Sequence, residues 1–249
     1  LNTAVWMQAT DYFLGILYGR TGEYEKGFRY LADAEDLCRR QPTTGAVANN
    51  GLAKARLLID TGRFAEAEAE IGAVAHLLDD SADNRGRCMY LSGLGDLALS
   101  RGDKPGACQL FEEMRSVAHH YDLSFTESEA RSRLAVVLNG MGEHDAALSG
   151  IEALLNADLR PQGPLIEAVV ALAAAVVYNG AGRFGDAERY GARAVAAFGD
   201  MPNPLQHGRS LMAVADAQSG LGDHVAAEAH RRRALSIFTE LGVPEAGTV

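Results

Sequence analysis

The chain has 249 residues, of which 33 are aspartate or glutamate and 23 are lysine or arginine, so its formal net charge is −10. An acidic chain repels nucleic-acid phosphates, and its basic residues are scattered apart from Arg231, Arg232 and Arg233, so direct binding to nucleic acid is not expected. No stretch of about 18 apolar residues is present to span a membrane, because the nearest one, residues 165–178, contains Glu167.

Small residues recur along the chain with a fixed period of 40 residues. Each of six glycines has a small residue seven positions before it and another five positions after it. The six triplets are Gly15, Gly22 and Gly27; Ala55, Gly62 and Ala67; Gly95, Gly102 and Ala107; Ala135, Gly142 and Ala147; Ala175, Gly182 and Ala187; Ala215, Gly222 and Ala227. Self-similarity at one period predicts a solenoid of repeated units. Because the repeat fills almost the whole chain, it predicts one helical repeat domain over residues 1–241 and a short tail over residues 242–249.

The fourth unit shows how one copy is built. Apolar residues recur at spacings of three and four in both halves, which predicts two amphipathic helices. They are Leu134, Val137, Leu138 and Met141, then Ala147, Leu148, Ile151, Leu154 and Leu155. Gly142 between the halves can take the left-handed conformation that ends a helix. Each unit is therefore predicted to be a helical hairpin, and the whole chain an all-α solenoid of twelve helices, with turns between hairpins at Gln41-Pro42, Arg160-Pro161 and residues 202–204.

The small residues have a physical reason. Where two antiparallel helices cross closely, a side chain longer than a methyl group would push the backbones apart. Ala135 and Ala147 are therefore predicted to form the contact within the fourth hairpin, and a larger residue there would cost about 1 to 3 kcal/mol through overpacking. Because a hairpin cannot bury both of its faces alone, each unit must also stack on its neighbours.

The end of the last helix lacks the polar face that a terminal cap requires. Leu235, Phe238 and Leu241 are expected to form an apolar face there. More chain, a partner or a second copy would have to cover such a face. Self-association through this C-terminal end is accordingly one hypothesis.

The small residues that recur before and after each turn glycine, together with an aromatic residue two positions after that glycine, resemble the pattern of tetratricopeptide repeats. The first unit matches with Gly15, Gly22, Tyr24, Gly27 and Ala34, the second with Ala55, Gly62, Phe64 and Ala67, and the fifth with Ala175, Gly182, Phe184, Ala187 and Ala194. The third and fourth units depart from the pattern, with Lys104 and His144 at the aromatic position. HEAT and armadillo arrays have a similar period of about 40 to 47 residues but lack these small-residue columns. The resemblance implies a right-handed superhelical solenoid of six antiparallel hairpins.

The length of the unit refines this resemblance. The family's standard unit has about 34 residues, whereas the unit here has 40. Long units are similar to those in the C-terminal sensor regions of large bacterial transcription activators, in which a P-loop ATPase precedes the repeats. Residues 233–242 also look like the last repeats of such regulators. The resemblance implies ligand sensing in bacterial transcription regulation.

In this family the first helix of each hairpin lines a concave groove, so the resemblance places the candidate binding residues on the first helices. The column six residues before the turn glycine changes character from unit to unit: Ile16, Arg56, Asp96, Val136, Val176 and Asp216. Neighbouring positions add Tyr12, Asn49, Asp60, Met89, Glu129, Asn139, Asn179, Arg209 and Met212. The equivalent Asn139 and Asn179 would clamp an extended peptide backbone through their amides. Local capping is the alternative for these asparagines, and an ordinary solvated face is the alternative for each charged residue taken singly.

No pattern of catalytic or metal-binding residues accompanies the repeat. His119 and His120 would point about 100° apart on a helix, so they cannot share one ion. The sequence contains no glycine-rich phosphate loop and no nucleophile elbow. We expect no cofactor, metal or catalytic residue. Three cysteines without a CxxC pair suit a reducing cytosol, which predicts a cytoplasmic protein.

These observations favour a non-enzymatic module that binds a protein, a peptide or a small effector in its groove. A free-standing adaptor or self-assembling scaffold is the second hypothesis. An enzyme with an active site in the groove is the third.

Overall fold

The computed structural model describes residues 3–40, 43–79, 83–159 and 162–247. Within these residues the chain forms twelve long helices and no strand, which confirms the predicted all-α class. The turns predicted at Gln41-Pro42 and Arg160-Pro161 lie outside the described residues. The chain divides into two compact units, Leu1–Gly102 and Asp103–Val249.

The first unit is built from two helical hairpins and one further helix. Its long helices are α1 (Thr3–Arg20), α2 (Tyr24–Arg40), α3 (Thr44–Asp60), α4 (Phe64–Val74) and α5 (Asn84–Ser100). A short helical turn, His76–Asp79, follows α4. The α1/α2 and α3/α4 hairpins stack because α3 packs on α1 and α2, and α5 packs on α3 and α4. Leu52, Leu58, Ile71 and Val74 lie in the core of this unit.

The second unit contains one helix followed by three hairpins. Its long helices are α6 (Lys104–His120), α7 (Ser124–Gly140), α8 (His144–Leu155), α9 (Pro164–Gly180), α10 (Phe184–Asp200), α11 (Pro204–Gly220) and α12 (His224–Leu241), and a 3-10 helix, Pro244–Gly247, follows. The hairpins are α7/α8, α9/α10 and α11/α12. They stack through α8 on α9 and α10 on α11, while α6 packs on α7. Ile151, Leu154, Ile166 and Val170 lie in the core.

The hairpin turns repeat one hydrogen-bond geometry. In the second hairpin the Gly62 N–H donates to the Ile59 carbonyl (3.0 Å) and the Arg63 N–H donates to the Leu58 carbonyl (2.8 Å). This arrangement needs a left-handed residue after the helix, where glycine has no steric penalty. The six predicted turn glycines all have positive φ angles: Gly22 81°, Gly62 75°, Gly102 77°, Gly142 86°, Gly182 72° and Gly222 85°.

The two flanking columns of small residues are buried in all six units. A Cβ atom added to Gly15 would lie 2.6 Å from Leu31 Cγ, and one added to Gly27 would lie 3.1 Å from the Gly15 carbonyl oxygen. Ala135 and Ala147, the contact pair predicted for the fourth hairpin, are both buried in the core of the second unit. The helices of a hairpin therefore approach closely enough to exclude larger side chains.

The prediction that Phe238 belongs to an open apolar face at the end of α12 is wrong. This side chain is 1% exposed and lies against Gly208 of α11, while Leu235 and Leu241 are half-buried. The helical period explains the difference, because Phe238 follows Ala227 and Ala234 on the side of α12 that faces its own hairpin partner. The exposed side of α12 is mainly polar, with Glu228, Arg232, Arg233, Ser236 and Glu240.

Candidate binding face

The first helices of successive hairpins lie side by side within each compact unit. They are α1, α3 and α5 in the first unit and α7, α9 and α11 in the second. We call the surface that they share the first-helix face. It carries all the predicted binding residues: Tyr12, Asn49, Arg56, Asp60, Met89 and Asp96 in the first unit, and Glu129, Asn139, Asn179, Arg209, Met212 and Asp216 in the second. Asp216 is exposed and the others are half-buried.

A charged network occupies the first-helix face of the first unit. The Arg56 guanidinium donates to Asp96 of the next first helix (Nη1 to Oδ2, 3.0 Å) and lies 3.3 Å from Asp60 of its own helix. Arg56 and Asp96 hold equivalent positions in consecutive units. The structure therefore brings three predicted binding residues together, and it uses them to bridge α3 and α5.

A second polar contact joins the same two helices near the start of α5. Asn49 Nδ2 donates to Asp83 Oδ2 (3.1 Å), and Asp83 Oδ1 accepts the Gly86 backbone N–H (2.9 Å). Asp83 is thus the N-cap of α5, as its sequence position indicates, and also the partner of Asn49. Burial raises the pKa of the Tyr12 hydroxyl, and the Asp83 carboxylate raises it further. The sequence gave no sign of these partners of Asp83, since they lie on other repeats.

Met89 has an apolar environment. Its half-buried side chain packs against the core of the first unit. Met89 therefore contributes to packing beneath the first-helix face.

In the second unit the bridge between first helices is made by asparagine amides. Asn139 Nδ2 on α7 donates to the Val176 carbonyl of α9 (3.3 Å), and Asn179 Nδ2 on α9 donates to the Ala213 carbonyl of α11 (2.8 Å). This arrangement differs from both sequence-based expectations. The amides neither cap their own helix ends nor project their donor groups away from the helices, because they bond across to the neighbouring helix.

The two asparagines differ in their carbonyl oxygens. Asn139 Oδ1 lies 2.9 Å from Nδ1 of His144, which supplies the hydrogen. Asn179 Oδ1 is buried and has no hydrogen-bond partner among the described residues. Phe184 stands at the position equivalent to His144 and offers no donor. Its ring instead fills the space beside Gly220 of the next first helix.

Ion pairs flank the first-helix face of the second unit. Arg133 Nη2 lies 3.2 Å from Glu129 Oε1, with its guanidinium over the Phe111 ring. Arg209 Nε donates to Glu245 Oε1 of the 3-10 helix (2.9 Å). Arg231 of α12 lies 3.3 Å from Asp216. Each charged residue predicted to bind in this unit is therefore paired with an opposite charge. Comparing equivalent positions of the repeats did not identify these partners.

The first helices of the second unit also carry half-buried apolar residues. Val136 and Val176, at the positions equivalent to Arg56 and Asp96, are half-buried. Leu172, one helical turn before Val176, and Met212, its equivalent on α11, are also half-buried. We call Val136, Leu172, Val176 and Met212 the apolar strip.

Three further properties of the described residues bear on function. They contain no group of three or more histidine, cysteine, aspartate or glutamate side chains placed to hold a metal ion. Burial raises the pKa of the Cys38 and Cys108 thiols, which lowers their thiolate fraction. None of the described helices is long and apolar enough to cross a bilayer.

Comparison with known proteins gives the same fold. Residues 51–73, which include the α3/α4 turn, match the tetratricopeptide repeat family model. The Rap protein complexed with competence and sporulation factor superposes with a TM-score of 0.69 at 12% identity, covering 96% of this chain and 67% of that chain. Aspartyl phosphate phosphatase F from Bacillus subtilis gives 0.63 at 10% identity, covering 96% of this chain and 72% of that one.

A third similar structure is a signal transduction ATPase with numerous domains from Pyrococcus horikoshii, which carries a tetratricopeptide repeat sensor. Its TM-score is 0.53 at 15% identity, and the match covers 91% of this chain but 35% of the ATPase. No curated protein matches the chain by sequence. The chain thus has a TPR-like helical solenoid fold, with one unit recognised by the family model.

Proposed function

We propose that this chain is a non-catalytic module that binds a protein or peptide segment on the first-helix face of its second unit. A TPR-like solenoid is a protein–protein interaction fold. One observation carries the proposal. The residues flanking each turn glycine stay small in every unit, whereas the position six residues before that glycine varies, with Arg56 and Asp96 in the first unit and Val136 and Val176 in the second.

The chemistry of the apolar strip favours a partner with apolar side chains. Val136, Leu172, Val176 and Met212 remain partly exposed although the core beneath them is well packed. Covering them removes apolar surface from water, at about 25 cal/mol per Å². The flanking pairs Glu129–Arg133 and Arg209–Glu245 form a polar rim, as at protein interfaces.

Selection from a library of displayed random peptides, followed by calorimetry with the selected peptides, tests this proposal. We expect the peptides to be rich in apolar residues and the Val176→Asp variant to lose at least about tenfold in affinity, because a carboxylate in the strip would be desolvated on binding. Val225→Asp is the matched control, since Val225 is largely exposed on α12, away from the strip. It should bind like the unchanged protein.

Val176 packs partly into the core, so folding must be checked separately. The near-isosteric Val176→Thr variant keeps the shape of the side chain, and its helical circular dichroism should match that of the original chain. Equal peptide affinities of all three variants would contradict binding at the strip, and so would protection from hydrogen exchange on helices other than α7, α9 and α11.

We further propose that the module is the sensor region of a cytoplasmic bacterial transcription regulator, with a peptide or small effector as its signal. The 40-residue units and the similarity to an ATPase with a tetratricopeptide repeat sensor support this role. The gene sequence on both sides of the segment provides the test. A P-loop ATPase or a DNA-binding helix-turn-helix is expected there, and a gene that encodes neither would favour an adaptor.

A further inference from the structure

Exposed apolar side chains are concentrated on α1. Trp6 is 66% exposed, and Phe13 and Leu17 are similarly open to solvent. Together with exposed Thr10 they follow a spacing of four, three and four residues, which places them along one side of the helix. We call Trp6, Thr10, Phe13 and Leu17 the α1 stripe. An exposed, largely apolar stripe of this kind marks an interaction surface.

Repeat equivalence identifies the stripe as a docking surface. The corresponding residues of α3 are Ala46, Asn50, Ala53 and Leu57, and the last three are buried. Asn50 Nδ2 donates to the Leu31 carbonyl of the preceding hairpin (3.0 Å). Leu57 lies against Gly19 and Gly27 of the same hairpin. The side of α3 that corresponds to the α1 stripe therefore contacts another pair of helices.

The α1 stripe is nevertheless too bulky for the contact that the other units make. The position of Phe13 is held by Ala53, Gly93, Arg133, Ala173 and Ala213 in the later units. At Gly93 even a Cβ atom would lie 2.8 Å from Ile71 Cδ1 of the preceding hairpin, and the long side chain of Arg133 extends over the Phe111 ring. Two aromatic side chains, Trp6 and Phe13, require a wider separation between helices than the repeat provides.

A second α1 helix meets that requirement. Between residues 3 and 20 the only charged side chains are Asp11 and Arg20. Asp11 lies about 130° around the helix from the centre of the stripe, at about 100° per residue. Two copies can therefore meet here without bringing like charges into the contact, although each whole chain carries a net charge of −10. The exposed side of α12 is mainly polar, with Val225 as an isolated exposed apolar residue, so it is a poor complement to the stripe in a head-to-tail contact.

We propose that the α1 stripe is the dimer interface of this chain, formed by two antiparallel α1 helices about a two-fold axis. Antiparallel pairing places Trp6 of one copy near Leu17 of the other, with Thr10 and Phe13 at the centre, so the surface is complementary to itself. The interface is small, because an 18-residue helix is only about 27 Å long. The expected dissociation constant lies in the micromolar range, about 1 to 100 μM.

Light scattering and tryptophan fluorescence over a concentration series to about 100 μM test the dimer. The mass should rise toward twice 26.5 kDa. Trp6 is the only tryptophan of the chain, so its emission should shift to shorter wavelength over the same concentrations. Leu17→Asp should raise the dissociation constant about 100-fold, since each dimer would bury two carboxylates in an apolar contact.

Leu221→Asp is the matched control. Leu221 is 53% exposed and Leu17 is 50% exposed, but Leu221 lies in the last hairpin turn. The control should dimerise normally, and circular dichroism should show both variants folded. A monomer at every concentration, or a dimer that both variants weaken equally, would overturn the proposal and leave the stripe to a segment outside this chain or to another protein. Peptide binding by the second unit does not depend on this contact, so the two proposals fail separately.

Discussion

The two compact units bridge their neighbouring first helices with different groups. In the first unit the bridge is an ion-pair network, with Arg56 held by Asp60 and Asp96. In the second unit the bridge is made by Asn139 and Asn179, three residues nearer to the turn. At Val136 and Val176, two of the positions equivalent to Arg56, the side chains take no part in this bridge.

This difference shows how one scaffold can present different surfaces. A helical repeat must hold each first helix against the next, but it can do so from more than one column of residues. Where residues six positions before the turn glycine make the contact, as Arg56 and Asp96 do, their side chains are turned toward a neighbouring helix. Where asparagines make the contact through backbone carbonyls, the side chains of Val136 and Val176 are not needed for it and stay partly exposed.

Both units bury small residues where the helices of a hairpin cross, and Gly27 offers the strongest test of how close these crossings are. Gly27→Leu should destabilise the first unit by about 3 kcal/mol, because even its Cβ atom would lie 2.7 Å from Leu57 Cδ2 and 3.1 Å from the Gly15 carbonyl. Gly72→Leu in α4 is the control, since no atom lies within 4 Å of its Cβ position. Urea unfolding should separate the two variants, and similar losses would show that the crossing is not tight.

The asparagine bridges of the second unit should differ in strength from each other. Asn139→Ala should cost about 2 kcal/mol, because it removes the bond to the Val176 carbonyl and also leaves His144 without its acceptor. Asn179→Ala should cost about 1 kcal/mol or less, because it also removes a buried oxygen that has no partner. Hydrogen exchange of α9 and α11 would measure both losses, and the reverse order would contradict the assigned contacts.

The charged bridge of the first unit should contribute less, because it is partly exposed. Arg56→Ala should destabilise this unit by about 1 kcal/mol, since Asp60 and Asp96 would lose the guanidinium that both contact and the repulsion between the two carboxylates would increase. Added salt should reduce the loss by screening that repulsion. The more exposed pair of Arg63 and Glu66 serves as control, and Arg63→Ala should cost less than Arg56→Ala because solvent screens this pair. A salt-independent loss would point to packing instead of charge.

The smallest expected difference between the units is their response to acid. Burial and the nearby Arg233 lower the pKa of His207, whose Nδ1 lies 3.1 Å from the Val195 carbonyl. A lowered folded-state pKa favours the neutral ring, so this stabilisation is present above the unfolded value of about 6.5 and is lost as the pH falls below it. The second unit should therefore lose slight stability toward pH 5, and His207→Gln should remove that dependence in thermal melts. An unchanged pH profile in the variant would exclude His207 as its source.

Much of the fold could be read from the sequence because its causes are local. A glycine at each turn and small residues at each crossing leave few alternatives for the backbone, and the structure shows both features at the predicted positions. The candidate face was predicted less completely. The partner of Arg56 lies 40 residues away, and the contact of Asn49 with Asp83 spans 34 residues. Such pairs depend on how hairpins stack, which equivalence between repeats does not give.

The two ends of the chain show the same limit of prediction from sequence. An apolar residue near the end of a helix suggested an open surface at Phe238, but the side chain faces the core. The open apolar surface lies on α1, whose overall composition gave no warning because its apolar residues extend around the helix. Only the packing of α2 and α3 against α1 decides which of those residues are covered.

The sequence by itself determined the repeat, its hairpin turns and its tight crossings, since these depend on the backbone freedom of glycine and on side-chain size at fixed spacings. The tertiary structure alone decided which side chains are consumed in bridging neighbouring helices and which remain for a partner. Stacking brings residues of different repeats within hydrogen-bonding distance, and a repeated sequence pattern does not record that distance.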